Sequence, residues 1–470
     1  MTSPLLTFPA LYLATMLMLM GTGAFNTYIA LYLNQAQVSA TWIGGMIAFF
    51  YAGMVVGAKV GQQMITRVGH IRTYVTCAGL STIIVLLHLL IESTTVWMAL
   101  RFVLGLVMMS QYMVIESWLN EQAENSQRGI VFAGYMIAVS VGQVVGQLLL
   151  IYFPDLNYKP LLLVAIFFSA SLIPVAMTRR VHPAQLVAAP LEIKYFWTRI
   201  PQSLVTVFLA GVMNGSFYGL APVYASEAGL TTAQVSVFIA TCVAAGFVAQ
   251  WPIGWISDRM DRSRLIQTNA MIMAVLAIPL WGFFSWSYAV LLVFSFLLGV
   301  FLFTFYPLAV AFANDNVEQP KRVALSGLLL AIFGIGASIG PVLTGMAMKY
   351  TPSALYIMFS LMTLLLILWV RPSKTTGEHL VDEAPTQFVP MTEHPVGAVM
   401  IDPRVDTDEI PDEAMVDLTE TIGAREDAGA PVAEPEDEAP EETEPTAAEP
   451  TPQDVAAEPP QPESPPKGQA

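Results

Sequence analysis

Charge is what this sequence has least of. Of its 470 residues 12% are Asp, Glu, Lys or Arg, about half the share usual in a soluble globular domain. Hydrophobic residues make up 55%, and the mean hydropathy is +0.59. That balance excludes an ordinary water-soluble enzyme and points to lipid as the solvent. Cysteine is nearly absent as well. Cys77 and Cys242 both fall in apolar stretches with no CxxC or metal-ligand spacing, which reads as packing thiols and not as a redox or zinc site. The chain carries no P-loop, no GxSxG, no HExxH and no His/Cys cluster. No enzyme activity, cofactor, metal or nucleic-acid partner is therefore expected, and a monomer is expected.

The few charges are unevenly placed. Residues 1–374 hold 18 basic and 11 acidic side chains, whereas 375–470 hold 3 and 25. The low isoelectric point thus belongs to the C-terminal quarter. Between Phe8 and Val370 the chain presents twelve apolar segments, each near the roughly 20 residues needed to cross about 30 Å of hydrocarbon as a helix. The expected fold is all-α and polytopic: twelve transmembrane helices in two pseudo-symmetric six-helix bundles. The expected domains are a bundle at 1–177, a basic linker at 178–203, a second bundle at 204–371, and an acidic, Pro/Glu-rich tail at 372–470. The start of the chain lacks a basic n-region and a clear cleavage site, so it reads as a retained first span. The tail is too polar and Pro-rich to offset its chain entropy by burial, and is expected to be disordered and to add nothing to the membrane body, with a docking or regulatory tail as the alternative.

Arginines and lysines mark one set of loops. Arg67, Arg72, Arg128, Arg179, Arg180, Lys194, Arg199, Arg259, Arg262, Arg264, Lys321 and Arg322 share one side, against Lys159 and Lys349 on the other. By the positive-inside rule this places both termini in the cytoplasm and the protein in a bacterial inner membrane.

An internal repeat joins the halves. A shift of 192 residues superposes Tyr32 on Tyr224, Arg67 on Arg259 and Arg72 on Arg264. A shift of 194 superposes Gly105 on Gly299, Asn120 on Asn314, Arg128 on Arg322, Gly142 on Gly336 and Gly146 on Gly340. Duplicated bundles of this kind hold a solute near the midplane and expose it alternately to the two sides. A secondary active carrier of a small solute is the expected function, with proton coupling left open. A receptor or scaffold that keeps the carrier fold is the alternative.

The segment Gly254-Trp-Ile-Ser-Asp258-Arg259-Met-Asp261-Arg262-Ser-Arg264 resembles the loop signature G-x-x-x-D-R-x-G-R-x-R of the major facilitator superfamily. Asp261 stands where that family usually has Gly. The first-half copy keeps Arg67, Gly69 and Arg72 but has Thr66 in place of the Asp. Glu116-Ser-Trp-Leu, Tyr218-Gly-Leu-Ala-Pro-Val-Tyr224, Gln250-Trp-Pro-Ile-Gly254 and Thr304-Phe-Tyr-Pro-Leu-Ala-Val310 resemble the YcaD-like branch of that family. The resemblance implies a gating role for Asp258 and Arg259, with the carboxylate expected to pair with an Arg of a neighbouring span and tie the bundles shut. Pairs of Glu116 with Arg128 and of Asp315 with Arg322 are expected to brace the same gate.

Within the spans, polar residues on the first, fifth, seventh and tenth segments are candidates to line a cavity: Asn26, Gln143, Gln147, Asn214, Tyr218 and Tyr306. Gln143 and Gln147 are four apart and share a helix face. Arg101 lies inside the fourth segment, where a charge costs at least about 2.5–3.5 kcal/mol. It either faces the cavity and attracts an anion or snorkels to the outer interface, and the sequence leaves both open. Gly336, Gly340 and Pro341 are read as close helix packing, and His88 as an interfacial residue.

Overall fold

The computed structural model describes residues 8–123, 128–178, 192–371, 380–382 and 384–391, without the side chains of Glu121, Gln122, Arg128 and Val323. The described residues form helices α1 (Pro9–Gln35), α2 (Ala40–Val68), α3 (His70–Leu90), α4 (Thr94–Gln122), α5 (Arg128–Leu149) and α6 (Lys159–Ala176). A short helix α7 (Ile193–Arg199) follows, then α8 (Pro201–Glu227), α9 (Thr232–Ser257), α10 (Arg262–Ala277), α11 (Tyr288–Leu302), α12 (Phe305–Asp315), α13 (Arg322–Met348) and α14 (Ala354–Trp369). Eleven helical segments are long and apolar enough to cross a membrane, with α11 and α12 forming one of them, and α14 is a shorter twelfth at 16 residues. Thus six spans precede α7 and six follow it.

The break between α11 and α12 has a local cause. Pro307 has no N–H to give the carbonyl of Phe303, and its ring crowds that carbonyl. The linker expected over 178–203 contains α7, and α8 begins inside it at Pro201. Phe196 of α7 is buried, and Arg199 donates to the carbonyl of Asn316 at 2.9 Å. Lys321 meets Glu192 at 2.9 Å, and that hydrogen bond raises the Lys321 pKa above its ordinary value. Both contacts attach the linker to the second half.

The repeat is written into the packing. A Cβ on Gly105 of α4 would strike the carbonyl of Phe50 on α2, and one on Gly299 of α11 would strike the carbonyl of Cys242 on α9. Phe50 and Cys242 are themselves 192 apart. In the same way Gly142 and Gly146 of α5 face the carbonyls of Met16 and Met20 on α1, while Gly336 and Gly340 of α13 face those of Phe208 and Val212 on α8. Without a hydrophobic drive between helices in lipid, close backbone approach of this kind is a main source of association. Gly336 and Gly340 are therefore packing glycines.

The two halves also touch each other. On the face opposite the arginines, Asn34 donates to Ser226 at 3.4 Å and to Glu227 at 3.2 Å, and Thr232 donates to the carbonyl of Pro154 at 3.1 Å. A cavity of about 390 Å³ lies on this seam, lined by Leu31, Gln35, Pro154, Ser226, Leu230 and Thr232 among others. Deeper in, α2 packs along α13, with Gly44 against the carbonyl of Pro341, Gly345 against that of Ala40, and Tyr51 against the ring of Phe333 at 6.4 Å.

Candidate functional site

Two polar clusters stand out, one in the middle of the first half and one on the basic face of the second. The first is built on α1, α3, α4 and α5. Arg101 is 1% exposed, so the snorkelling reading fails: a guanidinium at an interface would meet solvent. Its Nη1 donates to Asn26 Oδ1 at 2.8 Å, and its plane lies 4.3 Å from the centroid of Phe25. Its Nε and Nη2, together with Asn26 Nδ2, find no hydrogen-bond partner among the described residues. Next to Asn26 on α1, Thr27 donates to Gln147 Oε1, leaving Gln147 Nε2 without a partner among the described residues. Gln143 is buried against Gly23, and neither of its amide atoms is partnered among the described residues. A cation that keeps two donors free inside lipid is costly, and the adjoining amides offer further donors and acceptors. Chemically, the arrangement suits a small anion.

His88 belongs to this cluster and was read differently from sequence. It is buried, with its ring 5.1 Å from Phe25 and 5.2 Å from Trp97, and its Nδ1 hydrogen-bonds the carbonyl of Ile84 at 2.8 Å. Nothing in the sequence separates it from an interfacial histidine, because the residues that bury it come from α1 and α4.

Glu116 sits lower on α4 and is fully buried. Its Oε1 accepts from Tyr135 at 2.7 Å, and its Oε2 has no partner among the described residues. The Arg128 side chain, expected to pair with Glu116, lies outside the described residues. In the other half Tyr306 of α12 is buried and packs on Phe333 at 5.2 Å. Asn214 is buried on α8, as is Tyr218, whose ring lies 5.9 Å from Phe303. By the repeat, Tyr218 is the counterpart of Asn26.

The second cluster corrects the expected gate. Arg262, 3% exposed, opens α10 and holds three elements at once. It reaches Asp258 at 2.9 Å, Asp315 at 2.7 Å, Ser257 at 3.1 Å and the carbonyl of Ala311 at 2.8 Å. Asp258 therefore pairs within its own half. Asp315 pairs with Arg262 and not with Arg322, which instead donates to the carbonyls of Val317 at 3.3 Å and Asn314 at 3.4 Å at the end of α12. Those carbonyls are left open when a helix ends, and a cation satisfies them. Arg259 folds back on its own helix, 4.1 Å from the ring of Trp255 with a bond to that residue's carbonyl. Asp261 explains its departure from the signature: it caps α10, accepting from Ser263 N at 2.8 Å and Arg264 N at 3.4 Å. Arg264 is otherwise exposed, 3.8 Å from Asp261. Its first-half counterpart Gly69 turns the chain with φ +85° instead, a conformation that favours glycine. Arg67 and Arg72 flank that turn, both on the basic face. His70, overlooked in the sequence, takes the place of Arg262 there and bonds Ser117 at 2.8 Å.

A third correction concerns the tail. Residues 384–391 lie against this second cluster. Thr386 N donates to Asp315 Oδ1 at 2.7 Å, and Arg262 donates to the Thr386 carbonyl and hydroxyl. Phe388 N donates to Asp258 Oδ1 at 2.7 Å while its ring fills the space beside Gly254. The Gln250 side chain bonds both N and O of Met391 at 2.8 Å. The stretch Pro385-Thr-Gln-Phe-Val-Pro-Met391 carries no charge, so packing it desolvates no ion. Of the rest of the tail only residues 380–382 are described, with Val381 N donating to the Asp315 carbonyl at 3.1 Å.

Twelve helices in two related six-helix halves are the fold of a membrane transporter. The family model of the Major Facilitator Superfamily matches residues 11–289 and 269–405, and the chain belongs to that family. It is 27% identical to an uncharacterized MFS-type transporter, Ent638_1421, of Enterobacter sp. (strain 638), over 77% of this chain and 94% of the relative. It is 28% identical to the uncharacterized MFS-type transporter YcaD of Escherichia coli (strain SE11), over 75% and 92%. Among solved structures, the nucleoside transporter NupG superposes with a TM-score of 0.63 at 14% identity, over 76% of this chain and 96% of its own. A bacterial homolog of the human lysosomal transporter Spinster, inward-facing and occupied, gives 0.63 at 15%, over 80% and 98%. At such identities these likenesses concern the fold.

Proposed function

We propose that this protein is a secondary active carrier that moves a small organic anion across the bacterial inner membrane by alternating access, with its basic face and both termini in the cytoplasm. The observation that carries the reading is Arg101: a fully buried guanidinium with two unsatisfied nitrogens beside the amides of Asn26, Gln143 and Gln147. Removing a charge from water without a counter-charge costs several kcal/mol. An anionic solute entering between the halves supplies that counter-charge, and Tyr218, Asn214 and Tyr306 close on it from the other bundle. Glu116, buried with one free oxygen, is the group through which a proton would be exchanged as the site hydrates. The basic-face arginines support the orientation.

The test is uptake of a panel of labelled carboxylates, phosphates and neutral solutes into proteoliposomes holding the full chain. Arg101→Ala is expected to abolish uptake of the anion found, at unchanged membrane insertion. Arg101→Lys retains part of it if charge suffices, and little if the planar fork is required. Wild-type uptake by Arg101→Ala, or a substrate set confined to neutral solutes, overturns the anion reading. Absence of flux for every solute favours the receptor or scaffold instead.

A further inference from the structure

We infer that the basic-face end of the second half is a binding groove for an extended peptide, and that residues 384–391 occupy it as a tethered plug of the inner mouth. The inference rests on the alternating-access reading above.

The groove runs down one face of α9. Gln250, Gly254 and Asp258 are spaced four apart, so they form a single row. Arg262 and Asp315 stand beside its lower end. Each of these groups is bonded to, or filled by, the same eight residues. Asp258 accepts from Phe388 N, Asp315 from Thr386 N and hydroxyl, and Arg262 donates to the Thr386 carbonyl. Gln250 holds Met391 with a reciprocal pair of bonds, the way a neighbouring strand would hold it. Gly254 leaves the space that the Phe388 ring enters. Main-chain bonds with a side-chain pocket are how an extended peptide is recognised.

Depth separates a plug from a surface contact. Gln250 lies eight residues before Asp258 on α9, about 12 Å further from the helix end. Irregular backbone at membrane depth is tolerated only where protein buries it or where it lines a water-filled cavity. The lipid-directed side of α9 is marked by the exposed Val248, Trp251 and Trp255. Gln250, Ile253 and Gly254 stand on another side of the helix and are buried with the segment in place, so the peptide docks away from the side marked by Val248, Trp251 and Trp255. With the far face already joined through Asn34, Ser226, Thr232 and Pro154, the seated segment holds the inner ends of the second half in their present place. Among the described residues its bonds go to the second half, so it moves with that bundle and opposes the swing by the space it fills at the inner end of α9.

The docking is tested by cross-linking. A Cβ on Gly254 stands 3.0 Å from Phe388 Cγ, so cysteines at the two positions fall within disulfide reach. Gly254→Cys and Phe388→Cys are introduced into the full chain with Cys77→Ala and Cys242→Ala. Oxidation is expected to join the tail to the body, seen as a tail fragment that stays attached after proteolysis until reduction. The coupling is read with Leu31→Cys on the far-face seam, labelled by a membrane-impermeant maleimide in intact cells. Labelling should be suppressed in the oxidised cross-linked chain and recover on reduction. It should rise several-fold above the unlinked full chain in Phe388→Asp and in a chain ending at Lys374. No disulfide between 254 and 388, or equal labelling of Leu31→Cys in all these states, overturns the plug. Neither readout needs a substrate, so failure of the anion assay leaves this result standing by itself.

Discussion

The two halves share a backbone plan and divide the polar chemistry between them. The first half buries Arg101, Glu116, Gln143 and Gln147 within its spans. At the corresponding positions the second half has Ser295, Val310, Ala337 and Pro341. On the basic face the order is reversed. There the second half carries Asp258, Arg262 and Asp315, whereas the first has Thr66 and His70 at the places of the first two. One scaffold is used twice, with a buried, partly unpaired polar cluster in one copy and an ion-paired cluster in the other. Because the scaffold depends on backbone contacts at glycine, the side chains were free to specialise without moving a helix.

That division makes the same substitution unequal in the two halves. Arg262→Ala strands Asp315 and Asp258 and frees the tail, with an expected loss of about 3–5 kcal/mol. His70→Ala removes one neutral bond to Ser117, for about 1 kcal/mol. Thermal midpoints in detergent should separate the two clearly, and equal midpoints would break the comparison. The glycines provide the opposite test. Gly105→Ala and Gly299→Ala each push a methyl into a facing carbonyl, and each should cost about 1–3 kcal/mol. Their losses should match, since both meet equivalent residues; a large difference would mean that the repeat is not energetic. The smallest effect is expected at the paired turns. Asp261→Ala loses a helix cap and Gly69→Ala strains a left-handed turn, each for about 1 kcal/mol, resolved by denaturant midpoints of the two variants.

Much of the fold was legible before any coordinates. Spans are local: twenty apolar residues announce themselves whatever they pack against, and a charged loop cannot be hidden in lipid. The repeat was visible because Gly105, Gly142, Gly146 and Arg67 recur at a nearly constant offset, and the glycines meet the same partners in both halves. The candidate gate was legible as a motif but not as a set of bonds. Asp258 and Asp315 both turn to Arg262, which adjacency in sequence does not favour over Arg259 or Arg322.

Composition, hydrophobic length and repetition by themselves determined the class of protein, its helical class and its duplicated plan, since each depends on the solvent and on spacing along one chain. Only the tertiary structure decided that Arg101 is buried against Asn26 and Phe25, that Glu116 bonds Tyr135, and that Thr386 and Phe388 fill a groove more than a hundred residues upstream at Asp258 and Gly254. Those facts depend on which distant residues share a buried volume with each group. An arginine at an interface and one at the midplane have the same neighbours in sequence and different neighbours in space.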